Sequence, residues 1–310
     1  MSYALIVCYS LVFTASMAFA KKFNAKAPSG TLGLLIYVVV SSAAAVLFNA
    51  VISGFQVSMN LVSLPYILSF ALVAVCGTVC QLVSMRYINL ILISIFSSTG
   101  GLLIPTLLGW IFLREEIRWN IAVALVLALV AILLPVRYLR SSKDSSEKSS
   151  EKSSHGKTSM GLVILLAVGL MLGEGLGSFV SKLFALEEEK CSDTSYCLFV
   201  NAFMVGIVVV SLLGGLRFRR FSRITKEAVA TFPYKRSLWI VLATVASNVS
   251  TLLMRLILKD IPVSLYTVLQ CSMNLVFLLL TSRFIFRETI TRVQVVGAVL
   301  SAAASIMCVF

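Results

Sequence analysis

Ten long apolar stretches, separated by short polar or basic segments, constrain this chain more than any other feature. A helix that crosses the hydrocarbon core of a membrane needs about 20 mostly apolar residues. Stretches of this kind lie at residues 2–20, 30–53, 63–85, 90–113, 119–136, 160–183, 195–216, 237–258, 262–286 and 292–310. The pattern predicts an all-α integral membrane protein with ten transmembrane helices.

The composition excludes the main alternatives to a membrane protein. Of the 310 residues, 59% are hydrophobic and 13% are charged. An average soluble domain is about 45–50% apolar and about 25% charged. A soluble globule of this length has too little interior to bury so much apolar surface. A soluble enzyme, a disordered chain and a small disulfide-stapled secreted domain are therefore excluded.

A charged, serine-rich segment divides the chain into two parts. Residues 141–158 have the low-complexity sequence SSKDSSEKSSEKSSHGKT, which has nothing to bury. We interpret this segment as a linker between a first unit, residues 1–140, and a second unit, residues 159–310, each with five helices. Because five is odd, the two units must enter the membrane in opposite directions. This is the inverted-topology repeat of secondary transporters, in which the site lies near the membrane midplane.

Internal similarity supports the division into two units. An offset of 173 residues places Arg287-Glu288-Thr289 on Arg114-Glu115-Glu116. Each of these acidic turns follows the fourth helix of its unit and precedes a helix rich in small residues. An offset of 161 residues places Lys182 on Lys21. We interpret Glu115 and Glu288 as acids of turns and helix ends, because charges at membrane boundaries cost little.

The basic residues predict the orientation in the membrane. Of 26 Lys and Arg residues, 20 lie in or beside the loops that join helices 1–2, 3–4, 5–6, 7–8 and 9–10. We call the side of these loops side A and the opposite side side B. An excess of Lys and Arg marks cytoplasmic loops, so we predict a multi-pass protein of the plasma membrane with both termini outside. No basic face with interleaved aromatics is present, so no nucleic-acid partner is expected.

The cysteines and the single histidine predict neither a metal site nor a cofactor. Five of the seven cysteines lie inside apolar stretches, where Cys is a small hydrophobic residue. Cys191 and Cys197 share one polar loop and can form a disulfide if that loop faces an oxidising side, which the sequence leaves open. The only histidine is His155 in the linker, and no Cys-x-x-Cys pair occurs.

The two units carry features that resemble a known family of transporters. Their fourth helices end in IPTLLGWIFLREEI (104–117) and VFLLLTSRFIFRETI (276–290), and their last helices contain IAVALVLALVAILL (121–134) and VVGAVLSAAASIM (295–307). This layout resembles the ten-helix EamA-type transporters of the drug/metabolite transporter superfamily, over essentially the whole chain. Two features differ from the family pattern. Arg114 and Arg287 stand where a glycine usually precedes the acidic residue, and many relatives keep both termini in the cytoplasm.

The sixth apolar stretch contains a carboxylate at lipid depth. Glu174 lies about 14 residues, or roughly 21 Å, into the predicted helix, within a hydrocarbon core about 30 Å thick. An ionised carboxylate there costs about 2.5 kcal/mol or more, which favours the protonated form. Such a group can bind a proton or a cationic substrate. The structural alternative is a pair with Arg255 or a hydrogen bond from a serine.

The surroundings of this carboxylate also resemble a specific pattern. Glu174, Gly177 and Lys182 match the E-x-x-G-x4-K pattern in the first helix of the small multidrug resistance proteins, which belong to the same superfamily. The resemblance implies that Glu174 couples proton and substrate binding. The offset of 161 places Phe13 at the equivalent position of the first unit, so that unit has no equivalent acid.

Small residues on the sixth helix predict a close helix contact. Gly169, Gly173 and Gly177 recur every four residues and therefore share one face. Such a stripe lets another helix approach closely. We expect this contact to hold Glu174 at a seam between helices.

Other polar side chains at lipid depth are candidates for the lining of a substrate cavity. Hydroxyls and amides in hydrocarbon need hydrogen-bond partners, and helix contacts supply many of them, at about 0.6 kcal/mol each. Packing and substrate contact are therefore equal alternatives for each residue. The candidates are Asn49, Gln81, Ser94, Ser97, Ser98, Thr99, Asn201, Ser247, Asn248, Tyr266, Gln270, Ser272 and Asn274. Those on the fourth and ninth helices are favoured, because weak helix formers there can expose backbone carbonyls.

The sequence thus predicts a secondary active transporter of a small metabolite or drug-like molecule, which works by alternating access with proton coupling through Glu174. Two other classes stay open, an intramembrane enzyme acting on lipids and a membrane partner or sensor that transports nothing. No nucleophile–base set is present, so no enzyme activity is expected. The expected partners are a small-molecule substrate, protons and membrane lipids. Homo-oligomerisation, substrate identity and transport direction are left open.

The odd helix count of the first unit can be tested by tag accessibility. An epitope tag inserted in residues 141–158 should lie on the opposite side of the membrane from a tag at the N-terminus, because five crossings separate them. Antibody binding to intact and permeabilised cells measures this. Two tags on the same side would refute the predicted five-helix unit.

Overall fold

A computed structural model describes residues 2–24, 31–113, 119–146, 160–187, 191–216, 237–257, 263–288 and 290–307. These residues form α-helices and one short 3-10 turn, Leu61–Ser63, with no strand among them. The helices are α1 (Ser2–Asn24), α2 (Thr31–Ile52), α3 (Leu64–Tyr87), α4 (Leu90–Leu113), α5 (Trp119–Ser146), α6 (Met160–Leu186), α7 (Asp193–Leu216), α8 (Ser237–Ile257), α9 (Val263–Phe284) and α10 (Arg292–Met307). The all-α prediction is confirmed.

The helix limits follow the apolar stretches, with two differences. α1 runs to Asn24, beyond the predicted end at residue 20, and Lys21 in this extension forms an ion pair with Glu288. α5 continues to Ser146, six residues into the segment that we interpreted as linker. A helix can extend beyond the membrane where its backbone hydrogen bonds are internal, and Lys and Arg favour the helical state.

Seven of the described helices, α1–α4 and α6–α8, are long and apolar enough to cross a membrane. In α5, α9 and α10 the apolar segments among the described residues are shorter, at Ala122–Ala131, Met273–Phe284 and Arg292–Ala304. The described part of the chain therefore has the helix lengths and composition of a multi-pass membrane protein.

Glycines bring α6 into close contact with α3. A Cβ atom on Gly173 would lie 2.8 Å from the Cα atom of Gly77, and one on Gly169 would lie 2.8 Å from the Cys80 sulfur. A Cβ atom on Gly177 would lie 3.6 Å from the Phe70 ring. The predicted glycine stripe thus packs against a neighbouring helix, as expected. Because residue numbers rise on α6 as they fall on α3, the two helices are antiparallel.

A second close contact joins α6 to α4. A Cβ atom on Gly175 would lie 2.5 Å from the Ile104 Cβ atom and 2.6 Å from the Gly100 carbonyl oxygen. Farther along, the Phe112 and Phe179 rings lie 6.2 Å apart. Residue numbers rise together, so α4 and α6 are parallel. α6, which follows the serine-rich segment, therefore lies between two helices that precede it.

The direction of α1 is opposite to that of α6. Lys21, near the end of α1, forms an ion pair with Glu288. The other carboxylate oxygen of Glu288 accepts a hydrogen bond of 3.3 Å from the backbone N–H of Leu90, the first residue of α4. The end of α1 thus lies at the start of α4, and the parallel helix α6 starts at the same end of the bundle.

The helix contacts repeat when the first five helices are exchanged with the last five. α1 packs on α8, as α6 packs on α3. α1 packs on α9, as α6 packs on α4, and α2 packs on α8, as α7 packs on α3. The contacts α2–α7, α4–α9 and α5–α10 each join a helix to its equivalent in the other set of five, so the exchange leaves them unchanged. Contacts between the two sets of five helices therefore dominate the bundle.

Contacts at the described helix ends mark the two ends of the bundle, to which we give the names side A and side B. At side A, Lys21 and Glu288 join the end of α1 to the turn between α9 and α10, and the Lys22 ammonium lies 5.0 Å from the centre of the Trp239 ring on α8. At side B, the Tyr66 hydroxyl donates a 3.1 Å hydrogen bond to Glu187. This bond joins the start of α3 to the end of α6.

The largest apolar core lies at side A, and we call it the side-A core. All of its buried residues belong to the side-A halves of their helices or to the turn between α3 and α4, and they come from both sets of five helices. Its most buried members include Phe23, Ile91, Phe96, Leu170 and Ile240. One continuous core therefore closes this end of the bundle.

The remaining buried apolar residues form three separate clusters. One joins α2, α3, α7 and the end of α6, with Phe184 stacked on Tyr196 at 4.0 Å between ring centres. A second joins α1 to the end of α8 through Ile6, Tyr9 and Ile257. A third joins α4, α5 and α10 through Leu103, Ala128 and Ala304. Towards side B the interior is thus divided rather than continuous.

The close contact of α4 and α6 predicts a sharp cost for an added methyl group. Gly175→Ala should lower stability by about 1–3 kcal/mol, because the new Cβ atom meets backbone that cannot move aside. The matched control is Gly206→Ala on α7, where nothing lies within 4 Å of the added atom. Thermal unfolding in detergent compares the two, and equal melting temperatures would contradict the packing described here.

Candidate functional site

The two opposite faces of α6 have different environments. One face carries Leu165 and Leu172, which are 67% and 45% exposed, as expected for side chains that face lipid. The opposite face carries Ala167, Leu170 and Glu174, since residues three, four and seven apart share a face. Ala167 and Leu170 belong to the side-A core. Glu174 therefore lies on the inner face of α6.

Exposure changes abruptly along this inner face. Leu170 is 2% exposed, but Glu174, one turn closer to side B, is exposed, and so is Ser178, one further turn along. Ala185, near the end of α6, is exposed as well. The inner face of α6 is therefore closed towards side A and open from Glu174 towards side B.

The Glu174 carboxylate has no counter-charge among the described residues. Ser178 Oγ donates a 2.8 Å hydrogen bond to the Glu174 backbone oxygen, not to the carboxylate. Lys21–Glu288 is the ion pair that the described residues form, and the side chain of Arg255, the alternative partner, lies outside them. Protein surrounds Glu174 closely, yet part of its side chain is exposed.

α8 shows the same change of exposure. Ile240 and Ala243 are buried in the side-A core, and Ser247, four residues beyond Ala243 on the same face, is exposed. The lipid-facing side chains of α8, such as Leu238 and Val245, lie on the other side of the helix. Ser247 therefore lies one turn beyond the side-A core on its helix, as Glu174 does on α6. We call the exposed polar surface of Glu174, Ser178 and Ser247 on the side-B side of this core the vestibule.

Among the predicted residues of α4, Ser97 is nearest to the vestibule, on the same face as Gly101. Gly101 faces Ser178, whose Oγ would lie 3.9 Å from an added Cβ atom. Ser97 is one turn below Gly101, and its buried Oγ has no hydrogen-bond partner among the described residues. Ser98 is partly exposed. Thr99 instead faces α10, where its hydroxyl bonds Ile95 O at 2.7 Å and lies 3.5 Å from Ser301 Oγ.

The other predicted lining residues are distributed over several helix contacts. Gln81 Nε2 lies 3.3 Å from the Met17 sulfur, between α3 and α1. Asn248 Oδ1 accepts a 2.9 Å hydrogen bond from Asn49 Nδ2, between α8 and α2. Asn274 is buried on α9, and its Oδ1 has no partner within the described ranges. Tyr266 and Gln270 belong to α9, but their side chains lie outside the described residues.

Sequence reasoning missed one vestibule residue and left one pairing open. Ser178 is one helical turn after Glu174, and this spacing was the signal that could have found it. Cys191 and Cys197 are both free thiols in the structure. Cys191 is buried, and its backbone N–H donates a 3.0 Å hydrogen bond to Ser63 Oγ. Glu115 lies outside the described residues, whereas Glu288 is a turn acid that joins helices, as predicted.

No protein-family model matches the chain, and no curated protein matches its sequence. The functional argument therefore depends on the residues and their geometry.

The vestibule predicts that water reaches Glu174 but not the opposite face of α6. In a variant without native cysteines, Glu174→Cys and Ser178→Cys should react with a charged methanethiosulfonate reagent. Leu165→Cys is the matched control, because its exposed surface faces lipid and should stay unmodified. Mass spectrometry measures the modification. Equal labelling at residues 165 and 174 would mean that Glu174 also faces lipid.

Proposed function

We propose that this chain is a secondary active transporter of a small metabolite or drug-like molecule. We further propose that it is an EamA-type member of the drug/metabolite transporter superfamily, with ten transmembrane helices in two five-helix units of inverted topology. The opposite directions of α1 and α6 support this arrangement. So do the helix contacts, which repeat when the two sets of five helices are exchanged.

One observation carries the proposal. Glu174 is an exposed carboxylate without a counter-charge among the described residues, one turn beyond the buried side-A core on the inner face of α6. A transporter that works by alternating access needs a cavity that is open to one side in each of its states. An ionisable residue within the membrane is costly, and such residues mark ion and substrate pathways.

Proton coupling follows from the chemistry of a single acid. Apolar surroundings favour the protonated carboxyl, whereas water in the vestibule favours the ionised form. A cationic substrate group and a proton would compete for the same carboxylate, so that binding of one releases the other. The side-chain hydroxyls of Ser178 and Ser247 supply hydrogen-bond donors and acceptors at the rim. The cytoplasmic location of side A and the plasma-membrane location are part of the proposal and are supported by the excess of basic residues at side A.

The test is flux through purified protein in proteoliposomes. Candidate substrates are first selected from a metabolite and drug library by thermal shift of the wild type and of Glu174→Gln. We expect wild-type protein to transport a selected compound along a pH gradient, and Glu174→Gln to lose the pH dependence, because an amide cannot exchange a proton.

Glu187→Gln is the matched control. It removes a carboxylate from the side-B end of α6 without changing the vestibule acid, and should keep pH-dependent flux. If Glu174→Gln transports with an unchanged pH dependence, Glu174 is not the coupling acid. If no compound crosses the membrane and the purified protein instead converts a lipid, the transporter proposal is wrong.

A further inference from the structure

A polar network holds the side-A end of the bundle together. The Lys21 ammonium forms an ion pair with one carboxylate oxygen of Glu288. The other oxygen accepts hydrogen bonds from Ser282 Oγ and from the backbone N–H of Leu90. The two charged side chains are only 11% and 14% exposed. A buried charge pair of this kind is stable only when further hydrogen bonds satisfy it, as they do here.

The network joins three elements of the bundle through directional polar contacts. Lys21 belongs to α1, Leu90 is the first residue of α4, and Glu288 lies in the turn between α9 and α10. The carboxylate therefore sits at the N-terminus of α4, where unpaired backbone N–H groups favour a negative charge. The Lys21 ammonium also lies 5.0 Å from the centre of the Phe286 ring, within the same turn.

The turn that carries Glu288 has an unusual backbone. Arg287 has a φ of 52°, in the left-handed region that disfavours residues with a side chain. This is the position where the family pattern has glycine, which adopts such angles freely. The Glu288 backbone N–H bonds Ser282 O at 3.0 Å, which closes the turn on the end of α9. The backbone of Arg287 is therefore held in an unfavourable conformation, in which the next residue, Glu288, contacts Lys21 and the start of α4.

The position of the network relates it to the vestibule. The side-A core lies between the two, since Leu170 of α6 and Phe96 of α4 are buried there. An opening of side A that moves α1 and α4 away from the turn between α9 and α10 would break the Lys21–Glu288 ion pair and the hydrogen bond from the Leu90 N–H. The hydrogen bond from Ser282 lies within α9 and its turn, so it orients the Glu288 carboxylate in both arrangements.

We propose that Lys21, Glu288, Ser282 and the Leu90 N–H form a lock that holds side A closed while the vestibule is open at side B. This inference rests on the proposed alternating-access function. The lock shifts the equilibrium between two states because its ion pair and its Leu90 hydrogen bond exist in only one of them. Its removal should therefore favour the state that is open at side A.

The experiment uses two reporters on the inner face of α6. Leu170→Cys lies in the side-A core and Ser178→Cys in the vestibule, each in a variant without native cysteines. Glu288→Gln removes the charge and keeps the shape of the side chain. We expect Glu288→Gln to raise the rate of maleimide labelling at residue 170 by about fivefold or more and to lower the rate at residue 178. The two rates change in opposite directions because a larger population of one state means a smaller population of the other. The probe is a hydrophilic maleimide applied to the detergent-solubilised full chain.

Lys22→Met is the matched control for Lys21→Met. Both substitutions remove one positive charge from the end of α1, but Lys22 is exposed and contacts the Trp239 ring rather than Glu288. Lys21→Met should change the two labelling rates as Glu288→Gln does, and Lys22→Met should leave them unchanged. Unchanged rates in both Lys21→Met and Glu288→Gln would overturn the lock. A higher labelling rate at both residue 170 and residue 178 would also overturn the lock, because it would mean that the network only prevents local unfolding.

A second measurement, hydrogen exchange, tests the lock in a protein that keeps its native cysteines. Hydrogen exchange on Glu288→Gln with its native cysteines should increase at residues 88–96 and decrease at residues 174–186. An increase in both segments, or in neither, would contradict the lock. Failure of the transport proposal is distinguishable, because it would appear as absent flux in wild-type proteoliposomes even if the reporters respond in opposite directions.

Discussion

The position of α6 between α3 and α4 determines most of what this molecule can do. Glycines on α6 meet Gly77 of α3 and Gly100 of α4 at backbone distance, so α6 is clamped on two sides. A helix held in this way can present only two free faces. One is covered with exposed leucine and faces lipid, and the other carries Glu174 inward. Substitution of these glycines would separate the helices and would turn the acid towards another neighbour.

The two ends of the bundle are packed differently, and Glu174 lies where the packing changes. At side A, residues from both sets of five helices form one continuous core. Towards side B, the buried residues divide into three clusters, and Glu174, Ser178 and Ser247 become exposed between them. Apolar packing and the Lys21–Glu288 network act together at the closed end, since the apolar core excludes water and the charged pair joins the helix ends.

Much of the fold could be predicted, because the membrane leaves few alternatives. An apolar stretch in lipid must be a helix, since every backbone group has to be satisfied within it. The ends of the helices were therefore close to the predicted ends, apart from α1 and α5, where charged residues continue the helix beyond the apolar stretch. The stripe formed by Gly169, Gly173 and Gly177 also predicted a close helix contact, but the identity of its partner, α3, needed the tertiary structure.

The candidate site was less predictable than the fold. Periodicity on one helix assigns Glu174 to a face, and the cost of its charge in lipid makes it functional by default. For hydroxyls and amides the same reasoning does not distinguish function from packing, because a neighbouring helix and a substrate cavity can both supply their hydrogen-bond partners. Thr99 bonds towards α10 and Asn248 bonds Asn49 on α2, whereas Ser178, which was not predicted, faces the vestibule. In the sequence, only the spacing of Ser178, one helical turn after Glu174, distinguishes it from the other two residues.

The amino-acid sequence by itself determined the helical state and the apolar lengths of a membrane protein, and it predicts the two five-helix units and the depth of Glu174, because each of these depends on local composition and length. Only the tertiary structure decided which end of the bundle is closed, which face of α6 is inward and which base pairs with Glu288. These properties depend on contacts between residues as far apart as Lys21 and Glu288, and no local pattern encodes the partner of a distant side chain.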